Sequence, residues 1–111
     1  MSANFVQDGD LLDLPAPYAV NSGAGAKIGI IFGVAMVTLA LNQSGAFAVE
    51  GVWDLAKTSA EVWAVGQKLY WDDTNKLVTT VVGTNIAIGI AVKAAAAGAT
   101  VGRVRLNGAF I

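Results

Sequence analysis

The chain contains no cysteine and no histidine. Without cysteine there is no disulfide framework and no thiolate metal site. Without histidine it lacks the commonest general base, the commonest transition-metal ligand and the usual pH switch. Charge is scarce as well. Only 14% of residues are Asp, Glu, Lys or Arg, against about 25% in an average soluble domain. The net charge of −1 gives no steering towards nucleic acid or an anionic membrane. A long apolar run is missing too. The stretch 28–41 has fourteen residues without a charge, whereas a membrane span takes about 20. Residues 1–10 hold no base and no apolar core, so they do not read as a signal peptide.

The remaining polar groups do not assemble into a reaction centre. Ser22, Ser44 and Ser59 have no histidine to activate them. Asp72 and Asp73 are neighbours in a turn-forming stretch, where adjacent side chains point apart. Asp8, Asp10 and Asp13 resemble the start of a calcium loop, but Leu12 and Ala19 stand where later ligands would be needed. The glycines at 23, 25, 29 and 33 match neither a dinucleotide fingerprint, which Ile28 breaks, nor a P-loop, because Ile28 follows Lys27. The expectation is a protein with no catalytic residues, no cofactor and no metal.

What the chain does have is apolar surface. Its 111 residues suffice for one domain, and 55% of them are hydrophobic. So little charge over so much apolar area predicts that part of the outside is buried against partners.

Taken in order, residues 1–7 read either as a loose end or as an arm that orders on a neighbour's sheet. Residues 8–111 read as a single β domain. Asp8-Gly9-Asp10 is a turn, 11–14 a short strand, and Pro15 and Pro17 mark an edge or linker. The run 26–41 is rich in branched residues, with glycines that predict a bulge or bend. Residues 46–53 form the next strand, with a kink at Glu50-Gly51. Residues 55–65 fit a short helix capped by Asp54 and a long loop equally well. A hairpin follows, with Asp72-Asp73-Thr74-Asn75 as its loop and Trp71 facing Lys76, Tyr70 facing Leu77 and Leu69 facing Val78. Residues 84–93 give another strand, and 101–106 alternate cleanly. Asn107-Gly108 is a closing turn. About seven short strands with frequent turn signals predict an all-β sandwich or small barrel. No period of 20–50 residues stands out.

Two features single out contact residues. Arg103 and Arg105 share one face of the last strand. They form either a solvated row or a set of planar donors for acids on another subunit. All three tryptophans, Trp53, Trp63 and Trp71, lie within 51–80. Trp63, in an irregular segment flanked by small residues, is the one expected at an interface. Trp71 and Tyr70 are expected in the core.

Several motifs follow one another in a recognisable order. They are Asn4-Phe5-Val6-Gln7 with Gly9-Asp10, Gly33-Val34-Ala35, and Glu50-Gly51-Val52-Trp53-Asp54-Leu55 with Lys57. Gly66 through Leu69-Tyr70-Trp71-Asp72, Ile88-Gly89-Ile90-Ala91, and Val104-Arg105-Leu106-Asn107-Gly108 continue the series. In this the chain resembles the small capsid cement, or decoration, proteins of tailed phages and prophages. It departs from their pattern in the apolar stretch 36–41 and in Ala56, where proline is expected before Lys57.

The resemblance implies a compact, non-enzymatic β domain on the outer face of the phage head, made in the bacterial host cytoplasm. Its partners would be the major capsid protein and itself, as a homotrimer, with no nucleic acid and no membrane. Asn4, Phe5, Val6, Gln7, Trp63, Arg103 and Arg105 are the candidate contact residues. A tail or fibre module, and a small ligand- or peptide-binding β-barrel, are the competing expectations.

Overall fold

Strict alternation in the last strand shows how this chain builds its layers. In β9 (Val101–Asn107), Gly102, Val104 and Leu106 are buried while Val101, Arg103 and Arg105 are exposed, as period-two patterning requires. The computed structural model describes residues 11–107. The arm at 1–7, the turn at Asp8-Gly9-Asp10 and the segment from Gly108 onward lie outside the described residues.

Nine strands form two antiparallel sheets, and no helix occurs among the described residues. The first sheet has the order β1-β4-β3-β2. It comprises β1 (Leu11–Pro15), β2 (Gly25–Ile28), β3 (Ile31–Ala35) and β4 (Ser44–Ala48). The second has the order β5-β9-β8-β6-β7, adding β5 (Glu50–Ala56), β6 (Lys68–Asp72), β7 (Leu77–Thr79) and β8 (Ile86–Ala91). This second sheet curls until its two edges touch. Val78 of β7 bridges Lys57, and the Thr58 N–H donates to the Val78 carbonyl at 3.0 Å. The all-β expectation holds, with nine strands rather than seven. The run 26–41 reverses completely at Gly29-Ile30, so its expected bend is a hairpin. The strand expected over 46–53 breaks at Val49, where the chain passes from one sheet to the other.

One open alternative is decided and one expectation corrected. Residues 55–64 hold no helix: Leu55 and Ala56 end β5, and the rest is loop pinned by the Trp63–Ala95 bridge. The loop is held open because Lys57 points inward, only 2% exposed. Its ammonium donates to the carbonyls of Thr58 at 3.0 Å and Ala96 at 3.4 Å, and to that of Glu61. In the β6–β7 hairpin, Asp72 pairs with Leu77 and Trp71 with Val78, so the loop is 73–76. The Asp72 carboxylate accepts the N–H groups of Thr74 and Asn75, and Lys76 takes a positive φ of 58°. The partner strand has therefore slipped by two residues, which leaves each side chain on its expected face.

The halves 11–48 and 50–107 repeat one another. β1, β2, β3 and β4 correspond to β5, β6, β8 and β9, and the strand orders match once β7 is set aside. The registers match too. Asp13 faces Ala46 as Asp54 faces Arg103, and Leu14 faces Gly45 as Leu55 faces Gly102. Val34 faces Ala48 as Ile90 faces Arg105. Each half crosses a bridge, Val20–Leu39 or Trp63–Ala95, and each bridge residue leads into the same four-residue turn. The third turn residue is Gly23, Asn42, Gly66 or Gly98, all at φ between 66° and 93°, the left-handed geometry that selects glycine or asparagine.

Two buried clusters result. One, with Val20, Ala26, Ala35, Leu39 and Phe47, lies within the first half. The other joins Leu55, Trp63, Leu69, Trp71 and Val104 of the second half to Phe32, Val34 and Ala48 of the first. Phe32 and Trp71 meet with ring centroids 4.9 Å apart. The shared cluster makes the halves one domain.

Candidate contact surface

The outward face of the second sheet presents a row across four strands: Val52, Arg105, Ile90 and Lys68. Period-two alternation, which sends Val104 and Leu106 inward, sends these side chains out. Val52 is 54% and Ile90 38% exposed, and they flank the guanidinium of Arg105. Arg105 makes no ion pair among the described residues. The next row pairs Arg103 with Asp54. Nε donates to Oδ1 at 3.0 Å and a terminal nitrogen to Oδ2 at 3.3 Å. This fork holds the Asp54 carboxyl below its ordinary range, helped by the charges of Arg103 and Lys93. The same bond raises Arg103. The two arginines expected to act together are thus divided: Arg103 is engaged within the chain and Arg105 is open.

Trp63 lies elsewhere. It is 1% exposed, packed in the shared core with its ring over Gly102, and its Nε1 donates to Glu61 at 3.3 Å. The expectation of an interface tryptophan is corrected. The small neighbours read as a sign of accessibility surround a side chain that turns inward. Nearby Val62 and Val65 are large hydrophobic residues of that loop that are exposed. Trp71 is in the core as expected, and Tyr70 is half-buried. Asn4, Phe5, Val6 and Gln7 lie outside the described residues.

A polar knot, missed in the sequence, ties the halves together. Asp73 accepts from the Tyr18 hydroxyl at 2.9 Å and from Trp71 Nε1 at 3.0 Å. Lys76 lies 3.4 Å from the same carboxylate and 4.1 Å from the centre of the Tyr18 ring. Burial, reinforced by Asp73, pushes the Tyr18 hydroxyl up to about 12. Burial would raise Asp73 as well, but the donors Trp71 and Tyr18 and the charge of Lys76 outweigh it and hold the carboxyl low. A groove of about 530 Å³ opens beside Tyr18, Asn21, Ala24, Gly25 and Lys76. Among the described residues no group of three or more acidic side chains could hold a metal ion.

The exposed row thus sets two cations beside two branched apolar side chains on the outer face of the second sheet. A family model described as phage cement protein matches residues 6–106. The chain belongs to the phage cement protein family. That is a structural family of the phage capsid. The match covers both halves of the repeat and nearly all of the described residues. No curated protein and no solved structure matches the chain.

Proposed function

We propose that this cement protein binds the outside of the phage head and braces neighbouring major capsid subunits, acting as a homotrimer and performing no catalysis. The observation that carries the reading is the row Val52, Arg105, Ile90 and Lys68, which belongs to a chain in a phage cement family. An open arginine between two exposed branched side chains is the composition of an interface centre, because the apolar flanks exclude water from the charged contact. The valines at 62 and 65 and the arm residues Asn4, Phe5, Val6 and Gln7 extend the contact. Cement needs no substrate pocket. It needs a stiff body and many weak contacts repeated over a shell, where simultaneous engagement multiplies affinity.

The test uses phage heads assembled without the protein. Purified protein is added and the heads are sedimented, then heated. Co-sedimentation at a fixed copy number per shell subunit, with a raised temperature of head disruption, is the expected result. Heads that neither bind it nor gain resistance to heat would overturn the reading.

A further inference from the structure

The repeat places equivalent rows of side chains on the two halves, and in only one of them are the central positions covered. In the first half the row is Leu11, Ala48, Val34 and Gly25. Ala48 and Val34 are buried because they belong to the core shared with Trp71 and its neighbours in the second half. In the second half the corresponding positions are Val52, Arg105, Ile90 and Lys68, and they face outward. The substitutions follow the environment. Where the first half has Gly25, Val34 and Ala48 buried and only Leu11 exposed, the second has two cations and two branched apolar groups.

Charge is distributed to match. The outward side of the second sheet carries Arg103, Arg105, Lys68 and, beside Asp54, Lys93, against the acids Glu50 and Asp54. Arg103 and Asp54 satisfy each other. At the other end of the chain, Asp8, Asp10 and Asp13 precede the first base, Lys27. Asp13 holds the position equivalent to Asp54, yet it faces Ala46 where Asp54 faces an arginine. Its carboxylate is exposed on β1, an edge strand, and has no cation among the described residues.

We propose that the Arg105 row of one copy receives the β1 edge of a second copy, so that Asp13 meets Arg105 and Lys68 across the contact. This rests on the reading of the protein as a self-associating cement. The pairing repeats between molecules the acid–arginine match that Asp54 and Arg103 make within one. Donor and acceptor surfaces differ, so the contact is heterologous rather than a two-fold pair, and copies joined this way form a ring when the rotation between them closes.

The experiment measures the mass of the full chain by light scattering between about 50 mM and about 500 mM salt. A ring that dissociates as salt rises is expected. Arg105→Glu and Asp13→Lys should each weaken association by roughly tenfold, and the double charge swap should restore it. Arg105→Gln gives a milder loss, and Arg103→Gln, which touches only the internal pair, leaves association unchanged. Thermal melting checks that each variant is folded. A chain that is monomeric at every salt concentration, or a swap that fails to restore association, overturns the proposal. The same variants are then added to bare heads. If Arg105→Glu associates normally but no longer binds heads, the row faces the shell and the inference fails while the cement reading stands. If association behaves as expected and heads are not bound by any variant, the cement reading fails and the inference stands.

Discussion

Trp63 lies flat against the backbone of Gly102, so close that a β-carbon at that glycine would sit 2.1 Å from the ring. In the other half the equivalent glycine, Gly45, is covered by the opposite bridge partner, Leu39, at 2.7 Å. Each bulky bridge residue fills a space that only a glycine leaves open. Trp63→Ala is expected to lower the unfolding free energy by about 3–5 kcal/mol in a denaturant titration. Gly102→Val should prevent the ring from seating and leave little folded protein. A loss under about 1 kcal/mol for Trp63→Ala would show that the ring is not a core element.

Lys57 joins the loops at 57–61 and 96–99 through carbonyls alone, with the Trp63 ring 5.6 Å from its ammonium. Removing it leaves several carbonyls without their donor. Lys57→Ala is expected to cost roughly 3 kcal/mol. Lys57→Met keeps the stem packing and should recover part of that loss. Equal stability of all three proteins in the same titration would contradict this.

Tyr18 gives stability a signature at high pH. Its hydroxyl ionises near 12 in the folded chain and near 10 once unfolded. The folded state therefore holds a proton that the unfolded state has lost, and stability declines as pH rises between those values. At low pH the sign reverses. The Asp73 carboxyl is held low when folded, so its contribution is present above pH about 4 and disappears as pH falls below. Melting temperatures of the wild type and Tyr18→Phe should differ most near neutral pH and converge towards pH 12. Parallel profiles would remove Tyr18 as the cause.

Truncation tests the arm. Deleting residues 1–7 takes away none of the strand pairings described here, so the melting temperature should stay within a few degrees. Attachment to bare heads should weaken, measured as the fraction sedimenting with them. Unchanged attachment would leave the contact to the sheet face and the loops.

The strands were legible where one face is wet. β9 alternates Arg with Val and Leu, and β1 carries its proline at an edge. Runs covered on both sides gave no period, so the reversal at Gly29-Ile30 passed for a bend and the crossing at Val49 for a kink. The repeat was hidden for a different reason. Few equivalent side chains agree: Asp13-Leu14 with Asp54-Leu55, and Gly33-Val34-Ala35 with Gly89-Ile90-Ala91. The insertion of β7 also stretches the spacing from 41 residues at Asp13 and Asp54 to 56 at Gly33 and Gly89. Trp63 was misplaced because its seat, Gly102, lies 39 residues further on. Local sequence shows a tryptophan among small residues and says nothing of a hole made by a distant glycine. The outward orientation of Arg105 was legible because alternation along a strand needs no tertiary knowledge. That Arg103 is engaged required the register with β5.

The chain changes sheets once, at Val49, and this has a consequence for synthesis. The cluster around Phe47 and Leu39 draws only on residues of the first half, so it can close while the second half is still within the ribosome. The larger cluster cannot, because Leu55, Trp63, Leu69, Trp71 and Val104, which pack on Phe32, Val34 and Ala48, belong to the later half. The half made first thus presents Phe32, Val34 and Ala48 as part of the wall against which the later half packs.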